Sequence, residues 1–337
     1  MDRLPTGPDG ENSTASLQRV LLALALSVTG LVIVWGAAGH FRFQLGAYLD
    51  VGLLSLALFL GSAFYRYRRP DPRLAAMLFG AGFLCLFSAA ASALNYCLLT
   101  IAGNRIDSQL AAIDRALGFD WPVAMAAMAG HPILDRVLLI AYASMLPQVA
   151  LLMILLARRH SYPLVYRFCL AVAVSALTCI ALWTLAPSFG AFSVYALPAA
   201  AAHLPLALDR NYADALVPLL RQGPDIISPT DAKGLIGFPS YHAALALLVI
   251  AYAWTMPALR WPALILNLTV LISTPLQGGH HLIDVLAAFP VAAMALFLAA
   301  GKGFPWPRSS FDIAARPSGH AGPPYGGADS DGLPLPS

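Results

Sequence analysis

Eight stretches of this sequence, at about 17–39, 46–64, 74–100, 134–157, 164–187, 240–257, 260–276 and 281–300, are apolar and long enough, or nearly so, to cross a lipid bilayer. A crossing helix needs about 20 apolar residues. In hydrocarbon an unpaired backbone amide finds no water, so such runs close their hydrogen bonds internally, as helices. The patterning therefore predicts an all-α integral membrane protein, a helical bundle of about eight transmembrane spans. The sixth and seventh runs are short and are divided by Met256-Pro257 and Arg260-Trp261-Pro262, a tight turn. Merging or demoting the second or seventh run gives six or seven spans instead. Charged residues make up only 11% of the 337, against about 25% in soluble domains. The net charge of +3 is too small to point to nucleic acid, and Lys233 and Lys302 are the only lysines among twenty basic residues, which speaks against a polybasic tail. Cys85, Cys97, Cys169 and Cys179 lie inside apolar runs without metal-ligand spacing and read as small buried hydrophobes.

The loops divide by charge. Arg66, Arg68, Arg69 and Arg73, then Arg158, Arg159 and Arg167, then Arg260, then Lys302, Arg308 and Arg316 fall on one side; with Arg3 and Arg19 they account for 13 of the 20 basic residues. Basic residues collect on the cytoplasmic face, so both ends of the chain are expected there. Residues 1–16 are a polar cytoplasmic segment. The first run lacks a small-residue cleavage site and reads as an anchor, the first of three N-terminal transmembrane helices in 17–100. Residues 188–238 form a long outer loop with Pro198, Pro205, Pro218, Pro224 and Pro229, too many prolines for helix throughout. Residues 301–337 are rich in Gly, Pro and Ser and predict a disordered cytoplasmic tail. Between the third and fourth runs, Ile106, Leu110, Ile113 and Leu117 follow helical spacing with Asp107, Asp114 and Arg115 between them. This predicts an interfacial helix over 104–128 on the outer surface of the bilayer.

Ionisable residues at the edges of lipid-crossing runs are costly and are functional candidates by default. Two stretches hold them: Gly237-Phe238-Pro239-Ser240-Tyr241-His242-Ala243 and Gly278-Gly279-His280-His281-Leu282-Ile283-Asp284. Counting spans places both on the outer side. Pro239 suits the first turn of a helix, which sets His242 among free amides and a helix dipole that favour an anion. His280 and Asp284, four apart, share a helical face, and the carboxylate can hold the imidazole in one tautomer and raise its nucleophilicity. Such a set suits transfer of a phosphoryl group: one histidine attacks phosphorus, the other protonates the leaving oxygen, and the aspartate orients the attacker. His242 read alone is equally a helix-start residue, and His280 a turn residue; Asp284 is what sets His280 apart. His281 points about 100° away on a helix and reads as a neighbour rather than a catalyst.

At these residues the chain resembles the type 2 phosphatidic acid phosphatase (PAP2) superfamily, through Pro239-Ser240-Tyr241-His242 and Gly278-Gly279-His280-His281-Leu282-Ile283-Asp284. The Phe-Pro-Ser-aromatic-His form, and Gly118-Phe119-Asp120-Trp121, are most similar to its inositolphosphotransferase branch, which includes the inositol phosphorylceramide synthases. The resemblance covers about 100–300 and implies a PAP2-like catalytic membrane domain over 101–300. It implies His242, His280 and Asp284 as catalytic residues, with Ser240, Tyr241 and Gly279 beside the substrate. The chain departs from the phosphatase pattern at Ser273-Thr274, where an arginine is usual. Arg221, in Arg221-Gln222-Gly223, is the first candidate to hold the phosphate instead, followed by Lys233 and Arg210. Pro317-Ser318-Gly319-His320 matches the phosphatase motif but lies in the tail with no apolar helix after it, and reads as coincidence.

The resemblance thus implies phosphoryl transfer on a lipid phosphate or phospholipid through a phosphohistidine, without metal or other cofactor. A lipid hydroxyl as acceptor makes the chain a lipid phosphotransferase of sphingolipid type; water makes it a lipid phosphatase. A transporter or non-catalytic lipid-binding protein is the rival, though a transporter should hold its charges near mid-membrane. The expected location is a bacterial inner membrane with the site on the outer, periplasmic face. In a background lacking the four native cysteines, an impermeant thiol reagent added to intact cells should label a cysteine at Gln222 and spare one at Ser310. The reverse labelling would put both histidines on the cytoplasmic face, and labelling of both would mean an even number of spans between them.

Overall fold

The computed structural model describes residues 8–39, 41–159, 162–208, 212, 219, 223–224, 226–230 and 234–300. Every helix or strand longer than a single bridge among them is helical. In chain order the α-helices are α1 (Pro8–Ala38), α2 (Leu45–Tyr67), α3 (Pro72–Leu98), α4 (Asp107–Ala116), α5 (Trp121–Ala129), α6 (Pro132–Ala143), α7 (Met145–Arg158), α8 (Tyr162–Leu185), α9 (Tyr241–Ala253), α10 (Arg260–Gln277) and α11 (Leu282–Ala300). The expected all-helical membrane architecture is the one observed. Five segments are long and apolar enough to cross a membrane: Thr14–Ala38, Leu45–Tyr67, Pro72–Ile101, Tyr162–Leu185 and Leu282–Ala300. The apolar helices α7 and α9, of 14 and 13 residues, are shorter, since about 1.5 Å per residue gives them roughly 20 Å against a hydrocarbon layer of about 30 Å.

Two segments differ from expectation for identifiable reasons. The run at 134–157 is broken at Ser144 into α6 and α7. Pro147 has no N–H to give, and its ring crowds the carbonyl four residues back, at Ala143, where α6 ends. The segment 104–128 is likewise two helices. Gly118, at φ +83°, ends α4, with the Phe119 amide donating to Asp114 O at 2.8 Å. Asp120 then caps α5 by accepting from Val123 N at 3.1 Å. A left-handed glycine after one helix and an aspartate before the next are the ordinary stop and start signals. α5 and α6 are themselves bent by 116° across the break between Ala129 and Pro132.

α3 lies among α1, α2 and α8, while α9 packs on α8, α10 and α11, and α6 covers α10. Contacts assign the loops to two ends. At one end Arg66 donates to Gln18 Oε1 at 2.6 Å, Gln18 Nε2 donates to the Tyr166 hydroxyl at 2.7 Å, and Arg167 donates to Ala300 O. At the other end Gly103 N donates to Thr184 O and Ile106 N to Pro187 O. There the α1–α2 connection also pairs with the long loop: Phe43 bridges Ile227, and Gln44 N donates to Ile227 O at 3.0 Å. The start of that loop, 188–208, is ordered over α5. Its turns at Ala191–Ser193 and Ala199–Ala201 pack with Leu204 against Trp121, Met125 and Met128. The tail at 301–337, with His320, lies outside the described residues.

The Gln18–Tyr166–Arg66 group ties α1, α2 and α8 together inside an apolar bundle. Tyr166→Phe leaves the buried Gln18 amide without its acceptor, at a cost of about 1–3 kcal/mol. The thermal midpoint of the purified protein in detergent should fall accordingly; an unchanged midpoint would contradict the contact.

Candidate active site

Two chain segments, one at the start of α9 and one at the start of α11, meet through the backbone carbonyl of Asp284 and the ring of His280. Ser240 caps α9: its backbone is extended (φ −67°, ψ 116°), its Oγ accepts from Ala243 N at 3.4 Å, and its carbonyl accepts from Ala244 N at 3.1 Å. This leaves the amides of Tyr241 and His242 without an acceptor inside the helix. Asp284 stands in the first turn of α11. Its carbonyl accepts from Ser240 N at 3.0 Å, while its side-chain Oδ2 accepts from His281 N at 2.9 Å and lies 3.2 Å from His280 Nδ1. The pairing of His280 with Asp284 thus holds, but not through a shared helical face. His280 precedes the helix, and the carboxylate turns back toward the N-terminus to meet it.

The partners fix the tautomer of His280. Nδ1 lies 3.0 Å from Gly237 O and 3.2 Å from Asp284 Oδ2, both acceptors, so Nδ1 carries the proton. Nε2 then presents a lone pair, 3.4 Å from Ser240 Oγ at the amide-bearing start of α9. A buried imidazole with its proton pinned on one nitrogen and its lone pair facing a helix N-terminus can attack an electrophilic anion bound there. His242 sits in that same first turn, its ring stacked on Tyr142 at 4.4 Å between centroids and 10° between planes. The hydroxyl end of Tyr142 lies against Gly278, where a larger residue would collide with it. Tyr142, from α6, therefore packs against both histidine-bearing segments, and nothing in the spacing of the sequence announces it.

The turn before His280 is held from the long loop. Gly279 and Gly190 both have left-handed backbones, at φ +61° and +79°, and they touch: Ala191 N donates to Gly279 O at 2.6 Å, and a Cβ on Gly190 would collide with that carbonyl. Gly279 thus serves the turn. Gly237 N donates to Ser188 O at 2.9 Å, so both histidine segments rest on residues 188–191. Tyr241 turns toward α8, its hydroxyl 3.5 Å from Val172 O. Arg210, Arg221 and Lys233 lie outside the described residues. Among the described cations at this end, Arg105 binds Asp107 and sits 5.2 Å over the Phe189 ring, and Arg115 donates to the Tyr195 hydroxyl at 2.9 Å. Among the described residues no three His, Cys, Asp or Glu side chains group closely enough to hold a metal ion.

The sequence profile of the PAP2 superfamily matches residues 108–298, more than half of the chain. The chain belongs to the PAP2 superfamily. No curated protein and no solved structure matches it. The match makes the chain a membrane-embedded enzyme, a phosphatase or phosphotransferase acting on lipid-type substrates.

The Gly190–Gly279 contact yields a prediction. Gly190→Ala forces a side chain into a left-handed backbone, about 1–3 kcal/mol of strain, and pushes on the residue before His280. A displacement near 1 Å costs about 100-fold in rate, so turnover should fall by that order while the protein still purifies as a monodisperse species. Unchanged turnover would show that the contact does not hold the site.

Proposed function

We propose that this PAP2 superfamily member is a lipid phosphotransferase of the inositolphosphotransferase type, moving a phosphoryl-bearing headgroup from a phospholipid to the hydroxyl of a second lipid such as a ceramide. The observation that carries the chemistry is the double anchoring of His280 Nδ1 by Gly237 O and Asp284 Oδ2, which leaves Nε2 as the nucleophile. In the first step the Nε2 lone pair forms a bond to phosphorus as the bond from phosphorus to the leaving oxygen breaks, and His242 gives its proton to that oxygen. In the second step the acceptor hydroxyl attacks phosphorus, its proton passes to His242, and the N–P bond breaks, restoring His280. Asp284 faces the Nδ1–H throughout and offsets the positive charge that the ring gains when Nε2 is phosphorylated. The unpaired amides of Tyr241 and His242, with Ser240, suit the transferring oxyanion. Arg221, then Lys233 or Arg210, are the proposed side-chain grips on the phosphate.

The transferase reading is supported by Ser273-Thr274 in place of the phosphatase arginine and by the aromatic Tyr241. The proposed topology has eight spans: the five long helices, the α6–α7 pair, α9 and α10. The basic end formed by Arg66 and Arg167 lies opposite the histidines, and by the positive-inside rule the histidines then face outward, to the periplasm of a bacterium.

Purified protein in detergent should be given phosphatidic acid and phosphatidylinositol, each with and without ceramide. A headgroup-transfer product that needs ceramide supports the transferase; free phosphate released regardless of ceramide would assign hydrolysis. His280→Ala should abolish turnover. His242→Ala and Asp284→Asn should each lower it about 100- to 10,000-fold, the usual worth of a positioned acid–base group. Wild-type turnover by His280→Ala would contradict the mechanism.

A further inference from the structure

Beside His280, His281 has no exposed surface and lies between two carboxylates from α4: Nδ1 is 3.4 Å from Asp114 Oδ2 and Nε2 is 3.9 Å from Asp107 Oδ1. Neither carboxylate serves His281 alone. Asp114 accepts from Leu282 N and Ile283 N, both at 2.9 Å, and so caps α11 from 168 and 169 residues away. Asp107 Oδ1 accepts from Ser188 Oγ, Phe189 N and Gly190 N at 2.9, 2.7 and 3.1 Å. Its Oδ2 is held by Arg105, through Nε and Nη2 at 2.9 Å each. Two aspartates, an arginine and a histidine thus form one cluster, in which neither ring nitrogen of His281 makes a hydrogen bond.

The cluster grips the chain on both sides of His280. Asp114 fixes the two amides after His281, and Asp107 fixes the turn at 188–190 that packs on Gly279. We infer that His281 is a positioning residue, enclosed between Asp107 and Asp114 by packing rather than by a hydrogen bond, so that the amphipathic helix α4 sets the angle at which His280 presents Nε2. This rests on the reading of His280 as nucleophile. It gives α4 a part in the reaction that its exposed Ile113 and Leu117, taken alone, would not suggest.

The test is the rate at which radiophosphorus from labelled phosphatidic acid or phosphatidylinositol, whichever the wild type turns over, appears as phosphohistidine on protein quenched in alkali, where the N–P bond survives. Outer residues that orient the ligands of metal sites typically contribute about 10- to 100-fold, and the same order is expected for an outer residue that orients a histidine nucleophile. His281→Asn should slow labelling by that factor with KM unchanged and the thermal midpoint close to wild type; labelling at the wild-type rate overturns the inference. Should His281→Asn fail to fold, Arg105→Gln carries the test, because Arg105 is 42% exposed and its loss is tolerable. It should slow labelling several-fold without raising KM, and a wild-type rate, or a rise in KM alone, overturns the inference. If the wild type itself is labelled at a residue other than His280, the nucleophile assignment falls first and the inference falls with it.

Discussion

A carboxylate with no exposed surface at the start of a membrane helix is the constraint on which the rest of this site depends. Asp284 is that group. A carboxylate in such a place needs donors, and those it has, both on Oδ2, come from its own segment, while Oδ1 has no protein partner. The His281 amide and the His280 ring meet its side chain, while its own carbonyl takes the Ser240 amide. The start of α9 is thereby fixed against the start of α11, two helix N-termini facing a common space. The start of α9 brings amides without helical acceptors and a positive dipole end to it, the setting that a phosphate needs, whereas the first amides of α11 are taken by Asp114 and Asp284. The family match and the local chemistry therefore agree for a physical reason.

Around this centre the structure is layered. The turn at 188–191 supports both histidine segments, α4 supports that turn and the start of α11, and α6 supplies Tyr142 against His242. The first three helices lie outside the matched region, yet they are not detached. Their α1–α2 connection pairs with Ile227, Ser228 binds Gln44 at 2.5 Å, and the polar group around Tyr166 ties them to α8 at the opposite end. They thus brace the stretch of chain that runs into Ser240.

What could be read from the sequence was what local chemistry encodes. The apolar runs disclosed the helical membrane fold, and the four-residue spacing of His280 and Asp284 disclosed their pairing, although its geometry is a side chain turned back rather than a shared face. The break within 104–128 was written in Gly118 and Asp120, but extending the Ile106–Leu117 periodicity past them hid it. Pro147 marked the break at Ser144 in the same way, inside a run whose composition suggested one span. The partners of His281 could not be read, because Asp107 and Asp114 are more than 160 residues away and nothing local distinguishes a buried ion cluster from an interfacial helix with charges on it. Tyr142 was invisible for a related reason: an aromatic residue in an apolar helix carries no sign of what it stacks on.

The central claim is that phosphorus passes through a histidine. Its most direct test is stereochemical: turnover of a donor lipid made chiral at phosphorus, with the configuration of the product determined. Two successive displacements, onto His280 Nε2 and off it, predict retention whether the acceptor is water or a lipid hydroxyl. Inversion would mean a single direct displacement, and the account of His280 as nucleophile would be wrong.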